Sequence, residues 1–109
     1  MIVRVLSGVV LPDNVQAFHE EANAALASAR GSRGLLFGEV GRQAHADCSE
    51  DVLFVTIWQD LESLYRWLGG NDLLSTPLLR DGTLIERVEV QHYETWGAPI
   101  GIAAECTLP

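Results

Sequence analysis

The sequence contains no lysine: all seven basic residues are arginine, set against 15 acidic residues. Chemistry through a lysine Schiff base, pyridoxal phosphate attachment included, is thereby excluded. The shortage of positive charge leaves a formal net charge of −8. Such a chain repels phosphate backbones and anionic lipid, so no nucleic acid and no membrane surface is expected as a partner. No apolar run approaches the roughly 20 residues needed to span a bilayer. Cysteine is scarce too: Cys48 and Cys106 stand far apart, with no Cys-x-x-Cys or Cys/His spacing for zinc. Two free thiols in a reducing cytoplasm are expected, with a disulfide between them as the alternative. The three histidines lack metal-ligand spacing, so no metal is expected. No glycine-rich phosphate loop follows a strand, since Gly31-Ser32-Arg33-Gly34 precedes one, and no nucleotide cofactor is indicated.

What is present is enough for one folded domain: 109 residues, 48% hydrophobic and 20% charged. The start, Met1 to Ser7, is apolar, β-branched and soon followed by Pro12-Asp13-Asn14, so it reads as strand and not as a secretory signal. Strand one is expected over 2–10. Leu11 to Asn14 is a turn in which Asp13, with Gln16 three residues on, has the pattern of a capping box. Helix one follows, with Val15, Phe18, Ala22, Leu26 and Ala29 on one face and Gly31 as its stop. Strand two is expected over 35–43, a polar hairpin loop over 44–51, and strand three over 52–58. Asp60 caps helix two, 61–68, whose buried face is read as Leu61, Leu64 and Leu68. A short extra helix is conceivable over 72–80, against Pro77. Strand four is expected over about 84–96, and a tail over 97–109. The order is βαβ followed by βαβ, the split arrangement of an α+β, ferredoxin-like domain with a four-stranded antiparallel sheet.

Strands one and three are apolar on both faces. Val3, Val5 and Val9 oppose Ile2, Leu6 and Val10; Leu53, Val55 and Ile57 oppose Val52, Phe54 and Trp58. Two helices cover only one face of such a sheet, and an antiparallel sheet with a wet face normally alternates. The uncovered face therefore calls for a second copy of the chain about a twofold axis, a homodimer, in preference to a tail of 13 residues carrying two prolines and two glycines.

The stretch Phe54-Val55-Thr56-Ile57-Trp58-Gln59-Asp60-Leu61-Glu62-Ser63-Leu64-Tyr65-Arg66-Trp67-Leu68 resembles the centre of the antibiotic-biosynthesis monooxygenase (ABM) family, in which a strand ends in Trp, an acidic cap follows, and the next helix carries a second aromatic. The closing strand with His92-Tyr93-Glu94 fits as well. The resemblance covers residues 1–96 and implies a dimeric α+β barrel with a ligand pocket between helices and sheet in each subunit. It further implies cofactor-free oxygenation of phenolic or quinol-like compounds, haem degradation, or processing of small signals. The haem-degrading branch carries an Asn where this chain has Ser7, and its iron-ligating His falls at Leu78, or at Pro77 without a gap; neither side chain binds iron. The Asn and Tyr of anthrone-oxidising relatives fall at Phe54 and Leu64, and Tyr65 points about 100° away from its neighbour on a helix.

The candidate site residues follow. Trp58 is either a wall for an aromatic ligand or a core anchor. Trp67 matches the ligand-contacting helix Trp of the haem-degrading branch, or is a packing residue. His19, beside the apolar face of helix one, and His92, on a face with Val88 and Val90, are the candidate proton acceptors, each alternatively a satisfied structural histidine. Ser7 completes the expected pocket. His45 is read as solvated, Arg66 as a solvated helix Arg or an anion partner, and Cys48, between Asp47 and Glu50, as a poor nucleophile. The expected function is binding, with possible cofactor-independent oxidation, of a small hydrophobic or aromatic molecule. The alternative is a non-catalytic ligand-binding or structural dimer module.

Overall fold

The computed structural model describes residues 1–69 and 82–96. The expected extra helix over 72–80, the tail from Gly97 and Cys106 lie outside the described residues. Among the described residues, four strands and two helices follow in the order β1 (Ile2–Val10), α1 (Val15–Ala29), β2 (Leu35–Ala44), β3 (Glu50–Trp58), α2 (Leu61–Leu68) and β4 (Glu86–Glu94). The strands form one antiparallel sheet in the order β2-β3-β1-β4, the split βαβ arrangement.

Three boundaries differ from expectation. The β2–β3 ladder continues through Gln43↔Asp51 and Ala44↔Glu50, so the hairpin loop is shorter than the polar composition of 44–51 suggests. An Asx turn closes it, with the Ser49 amide donating to Asp47 Oδ1 at 2.9 Å. His45 is not merely solvated, because its Nε2 lies 2.9 Å from Asp51 Oδ2. At the start of α1, Asp13 does not cap. Pro12–Asn14 form a 3-10 turn that leads into the helix, and the N-cap position, Asn14, makes no side-chain cap bond. β4 begins at Glu86 because Gly82–Leu84 is also a 3-10 turn.

Residues opposite one another in an antiparallel ladder share a face, so the register sorts the side chains. Arg4, Leu6 and Val10 of β1 lie with Val52, Phe54, Thr56 and Trp58 of β3 under the helices, and all are buried. Val3, Val5 and Val9 lie with Val55 and Ile57 on the other face, only half-buried, and Leu53 there is exposed. Among the described residues, the helices thus cover one face and nothing covers the other.

Two apolar clusters make the covered layer. Under α1, Phe18, Ala22 and Ala25 meet Leu6, Val10, Val52, Phe54, Leu84 and Ile85. The alanines thin this face of the helix, and each large side chain buried here contributes about 1.5–3 kcal/mol. Gly8 lets the approach to β4 run close over β1, since a Cβ there would meet Ile85 at 2.6 Å. Under α2, Trp58, Leu64 and Leu68 pack with Ile2, Leu35 and Trp67. Asp60 caps α2 by accepting the Ser63 amide at 2.8 Å, and Gly69 ends it in the left-handed conformation at φ 67°. Leu61 does not join the buried stripe and is exposed; Ser63 is buried instead. It sits against Gly34, where a Cβ would come within 2.1 Å of Ser63 Oγ.

Candidate functional site

The side chains singled out from the sequence fall into three places. Trp58 and Trp67 belong together under α2. Trp58 is fully buried, its Nε1 donating to Thr56 Oγ1 at 2.9 Å, and its ring lies 5.1 Å from that of Trp67, tilted by 36°. This is the geometry of an offset aromatic pair with its polar atom satisfied.

His92 shares the middle of the covered face with Arg4, the two being register partners across β1 and β4. Arg4 is 1% exposed, and its Nη1 lies 3.0 Å from His92 Nε2. A guanidinium only donates, so His92 accepts, and its neutral ring carries its proton on Nδ1. Burial pushes the His92 pKa down, and the neighbouring Arg4 charge pushes the same way. Burial also lowers the Arg4 pKa.

His19 stands at the other end of the sheet. Its Nε2 lies 2.7 Å from Glu50 Oε1. Glu50 and Trp58 mark the two ends of β3, a separation of about 26 Å at the usual strand rise, so His19 and Trp58 do not line one cavity. Glu50 is 3% exposed and also accepts from Arg42 Nη1. Burial alone would raise the Glu50 carboxyl, but the hydrogen bonds and charges of Arg42 and His19 outweigh it and hold the pKa below the ordinary range. Beside this triad is an open pocket of about 200 Å3 lined by Phe18, His19, Ala22, Val40, Arg42 and Val52, with Asn23 also contributing. By comparison, a cavity of about 150 Å3 holds a benzene ring.

Ser7 joins none of these. Its partners are Leu53 and Glu89, on the face away from the helices, where strand alternation puts every second residue of β1. It lines a wider cleft of about 520 Å3 on the bare sheet face, with Leu53, Asp51, Gln43, Arg87 and Glu89. Arg66 bonds Glu62 one turn back, at 3.2 Å, on the exposed face of α2. Cys48 is an exposed free thiol in the hairpin, at φ 70°.

Two buried ionisable side chains that partner the candidate histidines were not picked out by sequence reasoning, although the signal was there. Glu50 keeps step with Val52, Phe54 and Trp58, the inward set of β3, once the strand is extended by two residues. Arg4 keeps step with Ile2, Leu6 and Val10. An ionisable residue in the buried phase of a strand needs a partner, and each of these two has a histidine. Among the described residues there is no group of three or more His, Cys, Asp or Glu placed to hold a metal ion, and no helix is long and apolar enough to cross a membrane.

Comparisons with known proteins fit this architecture. No protein-family profile matches the sequence, and no curated protein matches it. Solved structures do match. A candidate antibiotic biosynthesis monooxygenase from Deinococcus radiodurans superposes with a TM-score of 0.71 at 15% identity, over 94% of this chain and 98% of that one. Another from Nitrosomonas europaea gives 0.67 at 16% identity, over 87% and 98%. A MhuD variant, whose structure holds two manganese protoporphyrin IX molecules per active site, gives 0.67 at 16% identity, over 93% and 100%. At such identities the likeness is one of backbone. Element order, sheet order and near-complete mutual coverage agree: the chain has the α+β, ferredoxin-like fold of the antibiotic-biosynthesis monooxygenases.

Proposed function

We propose that this protein binds a small hydrophobic or aromatic molecule against the helix-covered face of its sheet and oxidises it with O2 without a cofactor. The substrate class is phenolic or quinol-type, and His19 is the proton acceptor. The observation that carries this reading is the pocket of about 200 Å3: apolar on the Phe18, Val40 and Val52 side, and bordered by an imidazole whose Nε2 is held at 2.7 Å by a buried carboxylate. A space of this size takes one ring of a substrate, and its mouth is open to the rest. Cofactor-free oxygenation asks little more of a protein. It must desolvate and orient the substrate and accept one proton. The substrate's own carbanion supplies the electrons, one oxygen atom enters the substrate and the other leaves as water.

Haem chemistry of the kind suggested by the MhuD variant is not supported. His92 accepts from Arg4 through Nε2, so its neutral ring has no lone pair left for iron, and the free lone pair of His19 is the one assigned to the substrate's proton. The positions Pro77 and Leu78, which align with the iron ligand, lie outside the described residues and carry no ligating atom.

The same reading includes the homodimer. Phe37, Val3, Ile57 and Tyr93 form one row across the bare face, and a second copy of that row about a twofold axis is a matching apolar surface. It also includes a cytoplasmic setting, in which Cys48 stays a thiol. A non-catalytic binding module is the second reading. The closed Trp58–Trp67 pair favours it, because the aromatic wall expected from the family resemblance is packed shut. Oxygen uptake with a panel of hydroquinones and anthrones separates the two. Uptake that is lost in His19→Ala and kept in His92→Ala is expected; uptake unchanged by His19→Ala overturns the proton-acceptor assignment, and binding with no uptake by the unmodified protein selects the module.

A further inference from the structure

Of the polar groups buried in the covered layer, Glu50 is the least expected. It is a carboxylate 3% exposed at the end of a strand whose other inward residues are apolar or neutral. Burying a charge costs several kcal/mol unless partners satisfy it, and a hydrophobic residue in this phase of β3 would have continued the row of Val52 and Phe54. The carboxylate is retained with both oxygens in use, Oε1 toward His19 and Oε2 toward Arg42. His19 and Arg42 come from different elements, α1 and β2, and both line the same pocket.

We infer that Glu50 and Arg42 are positioning residues for His19, and that the three side chains form one acid–base site that takes the proton of a small weak acid and holds its conjugate anion. This deepens the reading of the His19 pocket as the ligand site and rests on it. The chemistry follows from the donors and acceptors. A carboxylate only accepts, so the neutral His19 ring donates through Nε2–H and its Nδ1 keeps a lone pair. Nδ1 is the one ring nitrogen not committed to Glu50. When a ligand O–H or C–H bond breaks, the electron pair stays on the ligand, the proton goes to Nδ1, and the imidazolium is stabilised by the Glu50 carboxylate 2.7 Å from Nε2. Nothing is oxidised or reduced in this step. Arg42 spends one of its five N–H donors on Glu50, which leaves others for the anion. Before the proton moves the triad is neutral overall, with one cation, one anion and one neutral ring. After it moves the triad carries one positive charge, matched to a monoanion. The preferred ligand is therefore an acid that arrives neutral and is held ionised.

The test uses the full chain and no turnover. Ring 15N–1H NMR reads the tautomer and the protonation state of His19, and 4-nitrophenol serves as a chromogenic weak acid. In the unmodified protein, neutral His19 is expected as the Nε2–H tautomer. At a pH below the free pKa of 4-nitrophenol, binding is expected to raise the phenolate band and to turn the His19 signals into those of imidazolium. Glu50→Gln is expected to mix the two His19 tautomers, and Glu50→Asp to restore the Nε2–H form. Arg42→Gln, which leaves the His19–Glu50 contact in place and serves if Glu50→Gln fails to fold, is expected to weaken phenolate binding about tenfold or more. A mixed tautomer in the unmodified protein, a His19 tautomer indifferent to Glu50→Gln, or 4-nitrophenol bound without ionising each overturns the inference. Because oxygen is not consumed in any arm, an inactive protein that passes these tests sinks the oxygenase reading alone.

Discussion

At the Glu50 end of β3, the layer under α1 finishes in a histidine, a carboxylate and a guanidinium that share hydrogen bonds and border a pocket. At the Trp58 end, the layer under α2 finishes in two tilted indoles and two leucines, with no ionised group among them. One strand supplies both ends, and the same inward phase carries both. The difference teaches where this fold spends stability. Trp58 fills space and satisfies its one polar atom internally, which favours folding alone. Glu50 carries the expense of burying a charge, offsets it through its bonds to Arg42 and His19, and fixes the orientation of His19. A buried ionised cluster beside a pocket is the mark of a site, and a buried apolar one away from it is the mark of a core.

The comparison can be broken at either end. The largest effect is expected from Trp58→Ala, which removes a fully buried side chain and should cost about 3–5 kcal/mol, read as a lower urea midpoint. The geometry of His19 should survive in the fraction that stays folded. Glu50→Gln should cost less, about 1–3 kcal/mol, because half-exposed His19 and Arg42 regain water when released. A ranking with Glu50→Gln more damaging than Trp58→Ala would make Glu50 a structural keystone instead. Removal of the α2 cap by Asp60→Ala should cost about 1 kcal/mol, measured the same way, and should leave the His19 pocket untouched.

The smallest effect is on pH dependence, and its sign is fixed. His92 has its pKa lowered in the fold by burial and then by Arg4. The unfolded chain therefore binds its proton first, and stability is present above the ordinary histidine range, about 6.5, and declines as pH falls through it toward the folded value. Glu50, net lowered although burial opposes, contributes above the ordinary Glu range, about 4.3, and loses that contribution as pH falls through its folded value. Stability against pH should accordingly fall in two stages on acidification. His92→Gln should remove the first, and a first stage that persists in that variant would assign it to another group.

Most of the fold was legible because it depends on periodicity. The apolar phase of β1 and β3, the Asp60 cap and the 3.6-residue stripe of α1 are local signals, and from them came the split βαβ order. The uncovered apolar face was legible in the same way, since Val3, Val5, Val55 and Ile57 occupy the second phase of their strands. The site was less legible. His19 could be named from its place beside Phe18, but its partner is 31 residues away in sequence and lay in a stretch whose composition looked like loop. Polar content outweighed ladder phase there, and the hairpin in fact carries its pairing two residues further. Trp58, Trp67 and Ser7, matched by family resemblance, were grouped with His19 and His92 because that resemblance implies one pocket between helices and sheet. Strand length separates Trp58 from His19, and strand alternation turns Ser7 to the opposite face. Such distances follow only from register, which no single stretch of sequence contains.

One measurement tests the account most directly. Hydroquinone is titrated into isotopically labelled protein, and backbone amides and indole N–H signals are followed together. The account predicts shifts at Phe18, His19, Ala22, Val40 and Val52, with the Trp58 indole, held by Thr56 at 2.9 Å, unmoved. Shifts confined to the Trp58 and Trp67 indoles, with His19 and its neighbours still, would contradict it.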